Sequence, residues 1–254
     1  MNTKSLLRQL ASYYPQRLRE SYDFGGLMVG TLPKEVHSVF LCLDFDDEVL
    51  PEVLKVRPDL IITHHPFFFG TRYRILKSDP VKAELYEKML KEKLCLLSYH
   101  TNFDAARSGM NDELAEKLGL IDVKPLETAP MARGGKLEKP MEIRAFARYA
   151  KERLGVSYGL LIAAGKPMIS SVAMIGGGGW MENVNAQAEG YDIYLSGDCP
   201  HHGRREIVLR HYNYLDLPHE IEKAFMTRMT KTLLNIDLKL TIISVDHEKL
   251  PEVI

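Results

Sequence analysis

DLIITHHPFFFG, residues Asp59 to Gly70, decides how this chain is read. Its first half is apolar and β-branched with no helical spacing, which predicts a short buried strand. His64 and His65 then fall where the strand stops, a place where a strand that only filled a core would carry turn residues. Strand ends of this kind are where α/β proteins put their chemistry. Two neighbouring histidines in an extended chain point to opposite faces. Both therefore reach one site only if the chain turns there, which Pro66 favours, and they would serve two metal ions more readily than one. Phe67, Phe68 and Phe69 either keep water from that site or pack into the core or a subunit interface.

Outward from this stretch the chain alternates strand and helix patterns. "HSVFLCLDF" and a helix around residues 48 to 56 precede it, a βαβ order, and an amphipathic helix is expected near residues 3 to 13. Ser78 and Asp79 cap a helix from Pro80 to about Lys93. "LCLLSY" then makes a buried strand ending at His100, and a helix in "GMNDELAEKLGL" is stopped by Gly119. Pro125, Pro130, Gly134, Gly135 and Pro140 mark a looser crossing. The second half repeats the alternation: a helix from Met141 to Leu154, strands in "YGLLIAAG", "SSVAMI", "YDIYLSGD" and "NYLDLP", helices from about His202 and from His219, and a last strand in "LKLTIISV". The expected fold class is α/β, two similar lobes with mainly parallel sheets covered by helices. The lobes are placed at residues 1–125 and 126–254, facing each other across a cleft, with one intertwined unit as the alternative.

Composition bounds the function. The chain has 254 residues, 45% hydrophobic and 26% charged, enough for a substantial core. A net charge of −1 gives no electrostatic case for nucleic acid or an anionic membrane as partner. Met1 to Tyr14 lacks the pattern of a secretion signal, and no apolar run approaches the roughly 20 residues that span a bilayer, so a cytoplasmic location is expected. Cys42, Cys95 and Cys199 are too few and scattered for a disulfide framework. Cys42 and Cys95 read as strand core. Cys199 lies among Asp198, His201 and His202 and could join a zinc site, but no CxxC spacing accompanies it.

Metal-type side chains collect at three places: His64 with His65, His100 with Asp104, and His219 with Glu222. Asp104 alone reads equally as a cap or turn former, and Glu222 alone as a first-turn carboxylate favoured by the helix dipole. His219 and Glu222, three residues apart at a helix start, share one face. Three imidazoles and two carboxylates drawn from these six residues would form a ligand set suited to a pair of divalent ions. The run Gly176 to Gly179 could hold an anion on its amides or be an ordinary turn. Trp180 could stack on a base or pack beneath the loop.

The motifs "DFGGLMVG" (Asp23 to Gly30), "THHPFFF", "SYHTNFDAARSGMND", "IGGGGW", "YLSGD" and "LPHEIEK" run in order along nearly the whole chain. Together they resemble the GTP cyclohydrolase 1 type 2 homologues, the NIF-three-like proteins, in their short bacterial-type form. The resemblance implies a NIF-three-like fold with a dinuclear metal site in the cleft. It implies His64, His65, Asp104, His219 and Glu222 as ligands, with Glu222 bridging. Pro218 stands where many relatives have Gly, which leaves Glu220 in competition with Glu222. The implied cofactors are two divalent ions per subunit, from Zn, Fe, Mn, Co or Ni, and the implied assembly is a homohexamer. The implied activity is metal-dependent hydrolysis of a nucleotide such as GTP, with ring opening by hydroxide generated at the metals and His100 or His202 supplying protons. A metal-dependent phosphoesterase, a non-catalytic metal-handling or regulatory protein, and a scaffold stabilised by metals are the alternatives.

Overall fold

The computed structural model describes residues 1–249, 251, 252 and 254. Their strands are β1 (Gly26–Val29), β2 (Ser38–Cys42), β3 (Leu60–Thr63), β4 (Leu96–Ser98), β5 (Ile121–Pro125), β6 (Arg133–Glu142), β7 (Leu160–Ala163), β8 (Met168–Met174), β9 (Ile193–Ser196), β10 (Asn213–Asp216) and β11 (Thr241–Ser244). The chain divides into two compact units, residues 1–107 with 225–248 and residues 108–224 with 249–254. The C-terminal helix Ala224–Ile236, apart from its first residue, and β11 thus belong with the N-terminal unit. Local patterning, which only counts elements in order, carries no information about such a return.

In the first unit the sheet order is β1-β4-β3-β2-β11, with every pairing parallel except β1 with β4. The helix Leu50–Val56 crosses from β2 to β3, and Arg72–Ser78 with Pro80–Lys91 cross from β3 to β4. Asp79 caps the last of these by accepting from Lys82 N, with Pro80 at the first helical position. Parallel strands covered on both faces read as unbroken apolar runs, and β3 and β4 are buried at every position. Cys42 lies fully buried in β2, and Cys95 is buried at the approach to β4.

The second unit carries a mixed sheet of order β5-β6-β8-β9-β10-β7. Its centre, β8-β9-β10, is parallel, and its flanking pairings are antiparallel. The loose crossing expected near residues 120–140 is instead the β5–β6 pair, and β6 is ten residues long. Gly134 and Gly135 are there for close packing, not for flexibility. A Cβ on Gly134 would stand 2.1 Å from the Tyr191 ring, and one on Gly135 would stand 3.0 Å from Leu120 Cβ. Glycine inside a strand marks such close approach as often as a turn. Both units are α/β, each with a mixed sheet and its own apolar core. Among the described residues no helix is long and apolar enough to cross a membrane.

Candidate metal centre

In the first unit the chemistry-bearing residues follow the carboxyl ends of three adjacent parallel strands: Asp44 after β2, His64 and His65 after β3, and His100 after β4. The strand DLIIT stops at Thr63, and the chain turns at once. The amides of His64 and His65 both donate to the Leu43 carbonyl, at 3.2 and 3.1 Å. This departure from extended backbone removes the opposite-face problem, and the two rings lie 5.0 Å apart. His100 joins them, 5.2 Å from His64 and 5.7 Å from His65 between ring centroids. One ligand atom from each of these three histidines lies within 4.8 Å of the others.

Each of the three rings is held through Nδ1. His64 Nδ1 donates to the Tyr99 carbonyl at 2.9 Å. A carbonyl only accepts, so Nδ1 of His64 carries a hydrogen, and the neutral ring offers its lone pair at Nε2. His100 Nδ1 lies 3.0 Å from Asp23 Oδ1, and His65 Nδ1 lies 2.7 Å from Asp44 Oδ2. Asp23 also accepts from Gly25 N, Thr101 N and Thr101 Oγ1. Burial by itself would raise the Asp23 carboxyl, but the His100 and Thr101 hydrogen bonds outweigh it and hold the group well below the usual carboxylate range.

Asp104 is the fourth residue of the short helix Thr101–Ala105 and is not its cap. It is buried, with Oδ1 3.5 Å from His64 Nε2. Phe67 and Phe68 are core residues, whereas Phe69 is 58% exposed, its ring 6.1 Å from His65 and 5.8 Å from His100. The triple phenylalanine therefore divides its roles: two rings hold the turn to the core and one flanks the histidines.

The second unit repeats the placement. Gly176 to Gly179 follow β8, Asp198 follows β9, and His219 follows β10. His219–Lys223 is a 3-10 turn, after which the α-helix expected from His219 begins at Ala224. At three residues per turn, positions i and i+3 eclipse, so His219 Nε2 lies 2.9 Å from Glu222 Oε2. The carboxylate that His219 faces is that of Glu222. Its other nitrogen, Nδ1, lies 2.6 Å from Asp198 Oδ2. Burial by itself pulls the His219 imidazole down, but Glu222 and then Asp198 more than offset this and hold it at about 9.

The glycine run makes room for this pair. Gly177 has φ +64, and a Cβ there would stand 2.2 Å from Glu222 Oε1 and 3.0 Å from His219 Nε2. With Glu222 and Asp198 as its neighbours, the loop surroundings are anionic, and the phosphate-cradle reading of the run gives way to a packing one. His202 sits exposed at a helix start, its ring 5.5 Å from Trp180, and belongs to none of the metal-type groups among the described residues. Trp180 packs against the apolar core of its unit. Cys199 lies in the same core, where burial pushes its thiol up to about 11, the opposite of what a zinc thiolate requires.

Asp44 and Asp23 carry part of the site and were not singled out in the sequence as site residues. The signal is present, since Asp44 ends "HSVFLCLD" and His64 follows "DLIIT".

Two α/β units carry histidines and carboxylates at the carboxyl edges of their parallel strands, in groups that could hold a metal ion. The chain belongs to the Duf34/NIF3 (NGG1p interacting factor 3) family, whose model matches residues 1–251. It is 28% identical to a GTP cyclohydrolase 1 type 2 homolog of Clostridium perfringens over 225 residues, covering 86% of each chain. It is also 28% identical to a protein of that name from Methanocaldococcus jannaschii over 256 residues, 97% of this chain and all of the other. The crystal structure of a Bacillus cereus protein related to NIF3 superposes with a TM-score of 0.89 at 21% identity, covering 100% of this chain and 99% of that one, a likeness of fold.

Proposed function

We propose that this chain is a metal-dependent hydrolase that holds two divalent ions per subunit through His64, His65, Asp104, His219 and Glu222, and that it acts on a nucleotide such as GTP. The observation that carries the reading is the histidine trio, whose ligand atoms lie within 4.8 Å of one another while each Nδ1 is engaged elsewhere. Imidazole with carboxylate is a donor set for Zn²⁺, Fe²⁺, Mn²⁺, Co²⁺ or Ni²⁺. Such ions would supply Lewis acidity toward a carbonyl or phosphoryl oxygen and lower the pKa of water. His100 Nδ1 is tied to Asp23, so Nε2 is the atom through which His100 takes or returns a proton. Phe69, exposed beside His65 and His100, excludes water from one side of a bound substrate. The nucleotide assignment draws on the name of the curated relatives, GTP cyclohydrolase 1 type 2 homolog. A homo-oligomer, a hexamer by family likeness, goes with this reading, and sedimentation velocity measures it.

Elemental analysis of protein purified without added metal, followed by a nucleotide panel with the loaded protein, tests the proposal. Turnover that disappears in Asp104→Ala with folding retained supports it. A loaded protein inert toward GTP and the panel would favour a metal-handling role instead.

Gly177→Ala provides a second check. The left-handed backbone should cost about 1–2 kcal/mol of stability, and the methyl would displace the Glu222 carboxylate. Zn²⁺ affinity is expected to fall by about 10–100-fold, the usual consequence of losing a ligand's support. Denaturant unfolding measures the first and calorimetric titration the second, and unchanged affinity would remove Glu222 from the ligand set.

A further inference from the structure

We propose that Asp44 is a positioning residue that fixes His65 in the tautomer bearing its hydrogen on Nδ1, so that Nε2 is the donor His65 offers. The inference rests on reading His64 and His65 as metal ligands. The short connection after β2 organises the double histidine twice over: the Leu43 carbonyl takes the amides of His64 and His65, and the next residue places Asp44 Oδ2 2.7 Å from His65 Nδ1. An ionised carboxylate only accepts, so the hydrogen between them belongs to Nδ1.

Among the described residues, the hydrogen-bond partner of the Asp44 side chain is His65 alone. Within the acidic run Asp44-Phe45-Asp46-Asp47-Glu48 it is Asp46 that accepts from the Glu48 and Val49 amides and meets His247 Nε2 at 3.0 Å. The Asp44 side chain is 42% exposed. The other two rings are secured differently. His64 rests on a backbone carbonyl, which no substitution removes, and Asp23 also ties together Gly25 and Thr101, so its loss would disturb the local fold. Asp44 is thus the place where ring orientation can be altered without altering the scaffold. A carboxylate behind a ligating imidazole both fixes the ring and raises the basicity of the far nitrogen. His65 and His100 have such support, whereas His64 has only a neutral carbonyl.

The test uses the full chain and two readouts. Long-range ¹⁵N NMR of the metal-free protein at about pH 9, where imidazoles of ordinary pKa are neutral, should show His65 as the Nδ1–H tautomer. In Asp44→Ala that population should fall, and in Asp44→Asn, whose amide oxygen still accepts but carries no charge, it should be intermediate. Zn²⁺ titrated calorimetrically should bind Asp44→Ala about 10–100-fold more weakly than the natural chain, with Asp44→Asn between them. Melting should change no more than for an ordinary surface substitution. An unaltered His65 tautomer in Asp44→Ala, or Zn²⁺ affinity that falls only as far as stability falls, overturns the proposal. If Zn²⁺ fails to bind the natural chain, the metal reading fails, and the tautomer measurement still decides the role of Asp44.

Discussion

Asp104→Ala is expected to bind divalent metal at least about a hundredfold more weakly than the natural chain while remaining folded. Asp104 is buried, and its Oδ1 is 3.5 Å from His64 Nε2. Losing a residue that merely supports a ligand typically costs 10–100-fold, so losing a ligand should reach at least the upper end. The thermal readout follows from mass action. Metal at a hundred times its Kd stabilises the folded chain by about 2.7 kcal/mol, and this gain should nearly vanish in the variant at the same metal concentration. A variant that keeps the full metal-induced shift in melting would show that Asp104 is not a ligand.

Arg133→Ala should destabilise the chain by about 3 kcal/mol, the lower end of what removing one partner of a buried ion pair costs, because the Asp112 side chain is 24% exposed. Arg133 is 1% exposed at the start of β6. Its Nε pairs with Asp112 in the first turn of the helix Met110–Lys117, and its Nη1 donates to the carbonyls of Pro130, Met131 and Ala132. Truncation takes one donor from each of three carbonyls, of which Met131 keeps Asn111 Nδ2 and Ala132 keeps Leu126 N, and leaves Asp112 short of its countercharge. Denaturant unfolding measures the loss, and a change under 1 kcal/mol would mean that water or another cation replaces the guanidinium. The same helix carries Asn111, whose Oδ1 accepts from Gly176 N at 2.8 Å. Loosening Arg133 should therefore also relax the glycine run beneath Glu222.

Much of the site was legible because its residues sit at strand ends, and strand ends can be read from runs such as DLIIT and LCLLSY. His64, His65 and His100 were picked out this way. Asp104 and the His219–Glu222 pair each had an equally good local explanation, and family likeness weighted them. Asp44 and Asp23 were missed as site residues for a physical reason. An acidic residue after a strand is usually a turn former or a cap, as Asp46 is, and which oxygen faces a ring depends on a strand pairing far away in sequence. Glycines are ambiguous in a sequence: Gly134 and Gly135 suggest a loose crossing, and Gly176 to Gly179 read equally as an anion cradle or an ordinary turn, because a missing side chain gives the same signal for flexibility and for close packing.

By itself, the sequence determined the alternation of strands and helices, the buried parallel strands and the residue types able to bind metal, because these depend on hydrophobic period and on side-chain chemistry. Only the tertiary structure decided that the chain turns immediately after Thr63, that His100 meets His64 and His65, that the C-terminal helix and β11 return to the first unit, and that Gly177 lies against Glu222. Each of these is a distance between groups remote in sequence, set by how strands pair and cores pack, and no local pattern encodes it.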